Sequence, residues 1–148
     1  MRYKSTKTSP RGDAPFKVSD ADYLTLAAFR ASLRGFLRVS EDLAHDLGLT
    51  PQQHQALLAV RGYPGGDPTI GQLAQRLQVH HNSAVGLVTR LAKQGYVRRE
   101  SSKEDLRRMH VSLTPKGHGV LDKLTEAHRI ELRKIGPEIV QLLAELTG

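Results

Sequence analysis

The sequence predicts a mainly α-helical domain with one small β-hairpin. Three observations carry this reading. Leu, Phe and Val recur at three- and four-residue steps over long stretches, two threonines stand as helix caps three residues before a glutamine, and one short run switches to alternation. The 148 residues suffice for one domain with a real core.

Residues 1–19 are rich in Lys, Arg, Ser, Thr and Pro and read as a basic arm, either solvated or set against a polyanion or second subunit. A long helix is expected from Asp20 to about Leu47, with Leu26, Phe29, Leu33, Phe36, Leu37, Leu43 and Leu47 as its apolar contacts. It exceeds the roughly 8–20 residues usual for a globular helix, so it calls for partners outside its own domain. Gly48 stops it. Thr50-Pro51-Gln52-Gln53 reads as a capping box with Pro in the first turn, opening a helix that carries Leu57, Leu58 and Val60 and ends near Arg61-Gly62. Breakers follow from Tyr63 to Pro68.

Thr69-Ile70-Gly71-Gln72 is a second capping box, with Ile70, Leu73, Ala74 and Leu77 inward. Gln78-Val79-His80 makes a turn into a helix from His81 to about Gln94, with Val85, Val88 and Leu91 as the expected buried stripe and Gly95 as its stop. Two strands are expected at Tyr96–Glu100 and Arg108–Leu113, joined by a tip from Ser101 to Leu106. Thr114-Pro115 begins a last long helix with Val120, Leu121, Leu124 and Ile130. Gly136-Pro137 is expected to break it near Ile135, leaving a separate terminal helix with Ile139, Val140, Leu142, Leu143 and Leu146. So large an apolar face on a short element asks for a second subunit. The chain thus divides into the arm 1–19 and a single domain 20–148, with a central lobe at about 50–114 and candidate dimerisation helices at about 20–47 and 115–148.

Lys and Arg number 22 against 15 Asp and Glu, a net charge of +7. That balance suits a polyanion, since basic side chains release counterions when they meet phosphates. No run approaches the roughly 20 apolar residues of a spanning helix, and no apolar segment of signal-peptide type opens the chain, so a cytoplasmic protein with no membrane partner is expected. The chain has no Cys, which excludes disulfides, thiolate nucleophiles and Cys-ligated zinc. No cofactor is expected.

The segment Thr69–Thr114 concentrates the functional signals. On the helix from His81, the residues His81, Asn82, Ser83, Gly86, Thr89, Arg90 and Lys93 avoid the buried stripe. They are polar or small, as a surface facing the DNA major groove requires. Gly86 removes a side chain and allows close backbone approach, at a cost in helix propensity. Thr69 caps the preceding helix beside this face. The hairpin carries Arg98, Arg99, Lys103, Arg107 and Arg108 around a tip containing Asp105, an acidic residue out of place on a DNA-facing tip unless it pairs with Arg107 and orients the guanidinium for a narrow minor groove.

The ordered set of motifs resembles the multiple-antibiotic-resistance regulator (MarR) family of winged-helix repressors. The matching residues are Leu73-Ala74 with Leu77 and Val79, Ser83 through Leu91, Gly95-Tyr96-Val97, Asp105-Leu106-Arg107, and Val111 through Gly117, and the resemblance covers about Asp20 to Leu146. It implies a winged helix-turn-helix lobe and a homodimer with intertwined first and last helices, the two lobes facing one pseudo-palindromic operator. It implies a recognition helix at about 81–94 in the major groove around Asn82, Ser83 and Arg90, and a wing at 96–113 with Arg107 in the minor groove and Asp105 orienting it. His80 departs from the pattern, standing where the family often has a Ser or Asp cap. The resemblance also implies release by a small aromatic effector bound between the dimer helices and the lobe, which places Phe36, Val39, Leu43, His54, Leu58 and Arg61 as candidate linings. The lack of Cys removes the family's thiol-based peroxide sensing.

Alternatives remain at this level. Glu41 with His45, and His118 with Asp122, are spaced to share a helix face. A metal-responsive regulator of the same fold is therefore a second reading, although such pairs are commonly surface contacts and no metal site is assigned. A winged-helix module for protein or RNA is a third. Ser83, His81 and Asp105 contain the residue types of a catalytic triad, but Ser83 and His81 stand two apart on one helix and point in different directions, so no enzyme is expected.

Overall fold

In the computed structural model, residues 17–104 and 107–148 are described. Most of the basic arm, with Asp105 and Leu106 of the hairpin tip, lies outside them. Five helices and two strands follow in the order α1 (Asp20–Asp46), α2 (Pro51–Arg61), α3 (Ile70–Leu77), α4 (His81–Lys93), β1 (Val97–Ser101), β2 (Met109–Leu113) and α5 (Pro115–Thr147). The mainly helical class with one antiparallel hairpin is as expected.

Local chemistry sets the boundaries. The predicted boxes form at Thr50/Gln53 and Thr69/Gln72, and a third forms at Ser19/Asp22, opening α1. Each satisfies two backbone N–H groups that the helix itself leaves open. Gly48 and Gly95 end α1 and α4 with φ of 77° and 81°. At Gly95, the Tyr96 N–H donates to the Leu91 carbonyl at 2.9 Å and the Gly95 N–H to Ala92 at 3.0 Å, a Schellman closure. The first strand is shifted by one residue from the expected one, to Val97–Ser101, and the second begins one residue later, at Met109, and ends as expected at Leu113.

The core lies inside the lobe. Leu49, Leu57, Leu73, Val88, Leu91, Val111 and Leu124 are essentially fully buried, so α2, α3, α4, the hairpin and the first half of α5 enclose one apolar centre. On α4 the buried arc is Ala84, Leu87, Val88 and Leu91, whereas Val85 is only half-buried. The helix is turned slightly from the expected stripe, because Ala84 and Leu87 complete the three- and four-residue pattern around Val88 and Leu91. Leu58, a candidate ligand lining, is 48% exposed, since the core side of α2 is taken by Gln53, Ala56, Leu57 and Val60.

Gly136-Pro137 does not break the last helix. α5 runs to Thr147 with Pro137 inside it. A proline there forfeits one backbone hydrogen bond and crowds the preceding turn, at about 3 kcal/mol. Packing along α1 opposes that cost. Ile135, Ile139, Leu142 and Leu146 continue a half-buried stripe past the proline, and the Thr25 hydroxyl donates to Glu145 at 3.2 Å. No helix among the described residues is long and apolar enough to cross a membrane.

Candidate nucleic-acid interface

The turn between α3 and α4 is tight because Gln78 adopts a left-handed conformation, φ 56° and ψ 44°. The Val79 N–H closes it on the Ala74 carbonyl at 3.0 Å. α4 starts at His80 with no side-chain cap, so its first N–H groups keep their donor capacity for an anion or a base edge. His81, Asn82, Ser83, Thr89, Arg90 and Lys93 are all exposed. A Cβ on Gly86 would meet nothing nearer than the Arg90 Nη2 at 3.9 Å, an ordinary contact, so the position has room for a methyl group. The Thr89 hydroxyl is partly committed, donating to the Val85 carbonyl at 2.8 Å and accepting from Arg99 Nη1 at 3.4 Å.

The hairpin is fastened at both ends. Val97 pairs with Leu113 and Arg99 with Val111, which puts Arg99 on the face toward α4 and Arg98, opposite Ser112, on the other. At its base the Thr114 N–H donates to the Tyr96 carbonyl at 3.0 Å, while the Lys116 ammonium donates to the Gln94 carbonyl at 2.8 Å and lies over the Tyr96 ring. Farther out, Thr69 forms an isolated antiparallel bridge with His110, and the Val111 N–H donates to the Pro68 carbonyl at 2.9 Å. This short third edge was not legible in the sequence. It joins the N-terminal end of α3 to the hairpin, and a cavity of about 480 Å³ opens there, lined among others by Thr69, Gln72, His81, Arg107 and Arg108. Lys103 is exposed on the tip. The expected Asp105–Arg107 pairing falls outside the described residues.

Ser83 and Arg90 line a different cavity with Gln52 and Val79, so Ser83 and His81 do not converge. The ligand-lining candidates separate as well. Phe36 and His54 both meet His128, a residue the sequence reading missed. The ring centroids lie 5.7 Å apart for Phe36–His128 and 4.8 Å for His54–His128. His128 Nε2 is 2.7 Å from the Ser40 hydroxyl and Nδ1 is bonded to the Leu124 carbonyl. Its position one turn beyond Leu124 was the available signal. Val39 and Leu43 are half-buried on the same helix as Phe36, but Leu58 and Arg61 are exposed, and Arg61 lines a cavity behind the hairpin. Burial of the His54 ring, and then the neighbouring His128 charge, lower the His54 pKa. Glu41, His45, His118 and Asp122 are exposed, and no group of three or more His, Cys, Asp or Glu converges among the described residues.

A turn-linked helix pair followed by a basic hairpin bridged back to the first of those helices defines the winged helix-turn-helix class. The chain belongs to the MarR family of transcriptional regulators, whose family model matches residues 47–108. It is 27% identical over 109 residues to YkoM, an uncharacterized HTH-type transcriptional regulator of Bacillus subtilis (strain 168), covering 72% of this chain and 70% of that one. A probable transcriptional regulator from Pseudomonas aeruginosa is similar in structure, with a TM-score of 0.57, 30% identity, and coverage of 77% of this chain and 92% of that one. A mutant of S. aureus MepR bound to an oligodeoxyribonucleotide shares the fold, with a TM-score of 0.66, 20% identity, and coverage of 88% and 95%.

Proposed function

We propose that the protein is a homodimeric repressor that binds a pseudo-palindromic DNA operator. The observation that carries this reading is that polar and basic groups from α3, α4 and the hairpin meet at one place. The uncapped start of α4, the Thr69 cap of α3 and the arginines Arg107 and Arg108 all border one cavity. In the proposed complex α4 lies in the major groove, with Asn82, Ser83, Gly86 and Arg90 toward the bases and Thr89 and Lys93 toward the phosphates. The hairpin, through Lys103, Arg107 and Arg108 with Asp105 orienting Arg107, follows the adjacent minor groove. The oligodeoxyribonucleotide bound to the MepR mutant supports DNA as the ligand.

A second subunit answers the apolar surface left on the long helices. Leu24 is 75% exposed on α1 and Val140 66% on α5, with Leu37 and Ile130 also half-open to water. A monomer gains nothing from solvating such a surface, whereas a dimer seam removes it. A small aromatic effector is placed beside Phe36, Leu43 and His54, where α1, α2 and α5 meet. It releases the operator by binding the DNA-incompetent lobe spacing more tightly. In a gel-shift assay the chain retards a duplex from its own upstream region, with affinity falling steeply between about 50 and 200 mM salt. Failure to retard any duplex at the lower salt overturns the reading.

A further inference from the structure

The face of the hairpin turned away from α4 has no role in the proposed DNA complex. Behind it lies a recess of about 480 Å³ between the end of α2, the 62–68 loop, both strands and the first turn of α5. That volume falls in the range of small-molecule sites. Arg61, Arg98 and His118 line it, together with Tyr63, Ser112 and one carboxylate, Asp67. Val60 and Leu113, both buried, form its apolar wall.

Two arginines from separate elements thus line one recess, with a single acidic residue beside them. Among the described residues neither Arg61 nor Arg98 makes an ion pair or a side-chain hydrogen bond. Arg98 is directed here by register: it pairs with Ser112, on the hairpin face opposite the Arg99 that reaches Thr89. Arg61 stands in the last turn of α2, where the carbonyl end of the helix favours a cation. Paired guanidiniums with a hydroxyl and an imidazole nearby are suited to a planar or tetrahedral oxyanion, which arginine grips through two parallel N–H groups.

We propose that this recess binds a small free anion, a carboxylate or a phosphate, between Arg61 and Arg98. An anion held there ties the end of α2 to β1, one residue from the arginine that contacts α4, and so sets the hairpin against the lobe.

The test is a titration of the ¹⁵N-labelled full chain with inorganic phosphate, and separately with succinate, at constant ionic strength set by chloride. The arginine Nε–Hε signals are followed. Saturable shifts at Arg61 and Arg98 are expected, with at least about ten-fold weaker binding in Arg61→Gln and in Arg98→Gln, as loss of a charged hydrogen bond implies. Both side chains are exposed, and unchanged melting curves check that the variants fold. Shifts that grow linearly without saturation, shifts confined to Arg107 and Arg108, or equal affinity in the variants overturn the proposal. In a final arm a DNA duplex is added. Phosphate binding that persists with duplex bound supports a free anion, whereas displacement of phosphate from Arg61 and Arg98 by the duplex assigns the recess to DNA and overturns it.

Discussion

A methyl group on Gly117 would overlap the carbonyl group of Tyr96, so the first turn of α5 can pass the hairpin base only without a side chain. Gly117→Ala is expected to destabilise the fold by about 1–3 kcal/mol or more, the range for overpacking, as read by chemical denaturation. Gly86 is the contrasting case. Its Cβ position is open, so Gly86→Ala should preserve stability or raise it by up to about 1 kcal/mol through helix propensity, while weakening DNA retardation. Unimpaired DNA binding would remove the close backbone approach from the mechanism. His54 gives a pH dependence. Its pKa is lowered in the fold, so the unfolded chain takes up a proton first as pH falls below about 6.5. Folding stability is therefore expected to decline from that pH down to the lowered value, and the slope should diminish in His54→Gln. An identical slope in denaturation series between pH 5 and 7.5 would exclude the ring as the cause.

At the scale of elements, the helix starts were legible because capping is local chemistry: Thr50 and Thr69 meet glutamines three residues on, whatever the rest of the chain does. The end at Pro137 was not, since the outcome there depends on what α1 offers to the residues beyond it. Truncation after Gly136 removes that last stretch of α5, including the Glu145 partner of Thr25. The truncated chain is expected to sediment as monomers or aggregates, and a clean dimer would show that the stretch is not part of the seam. The hairpin is tested through Arg107→Ala, which should weaken operator binding and reduce the salt slope by about one unit if the guanidinium holds one phosphate-level contact. Unchanged slope and affinity would take the hairpin out of the interface.

For the whole molecule, the exposed apolar surface of α1 and α5 and the basic lobe make one joint demand. Two lobes related by a two-fold axis should protect paired half-sites about one helical turn, or roughly 34–36 Å, apart. Hydroxyl-radical footprinting is expected to show two symmetric protected segments per operator, and a single unpaired segment would mean that one lobe binds alone.

The sequence by itself determined the caps at Thr50 and Thr69, the stops at Gly48 and Gly95, the polar face of α4 and the basic hairpin, because each depends on residues within a turn or two of one another. Only the tertiary structure decided how helix faces are rotated and which distant groups meet. Leu58 and Arg61 belong to α2 as surely as His54 does, yet only His54 turns to meet Phe36 through His128. The bridge from Thr69 to His110, the continuity of α5 through Pro137 and the recess between Arg61 and Arg98 have the same origin. Periodicity shows that a helix has a buried side, but packing against the other helices chooses the angle at which that side is presented.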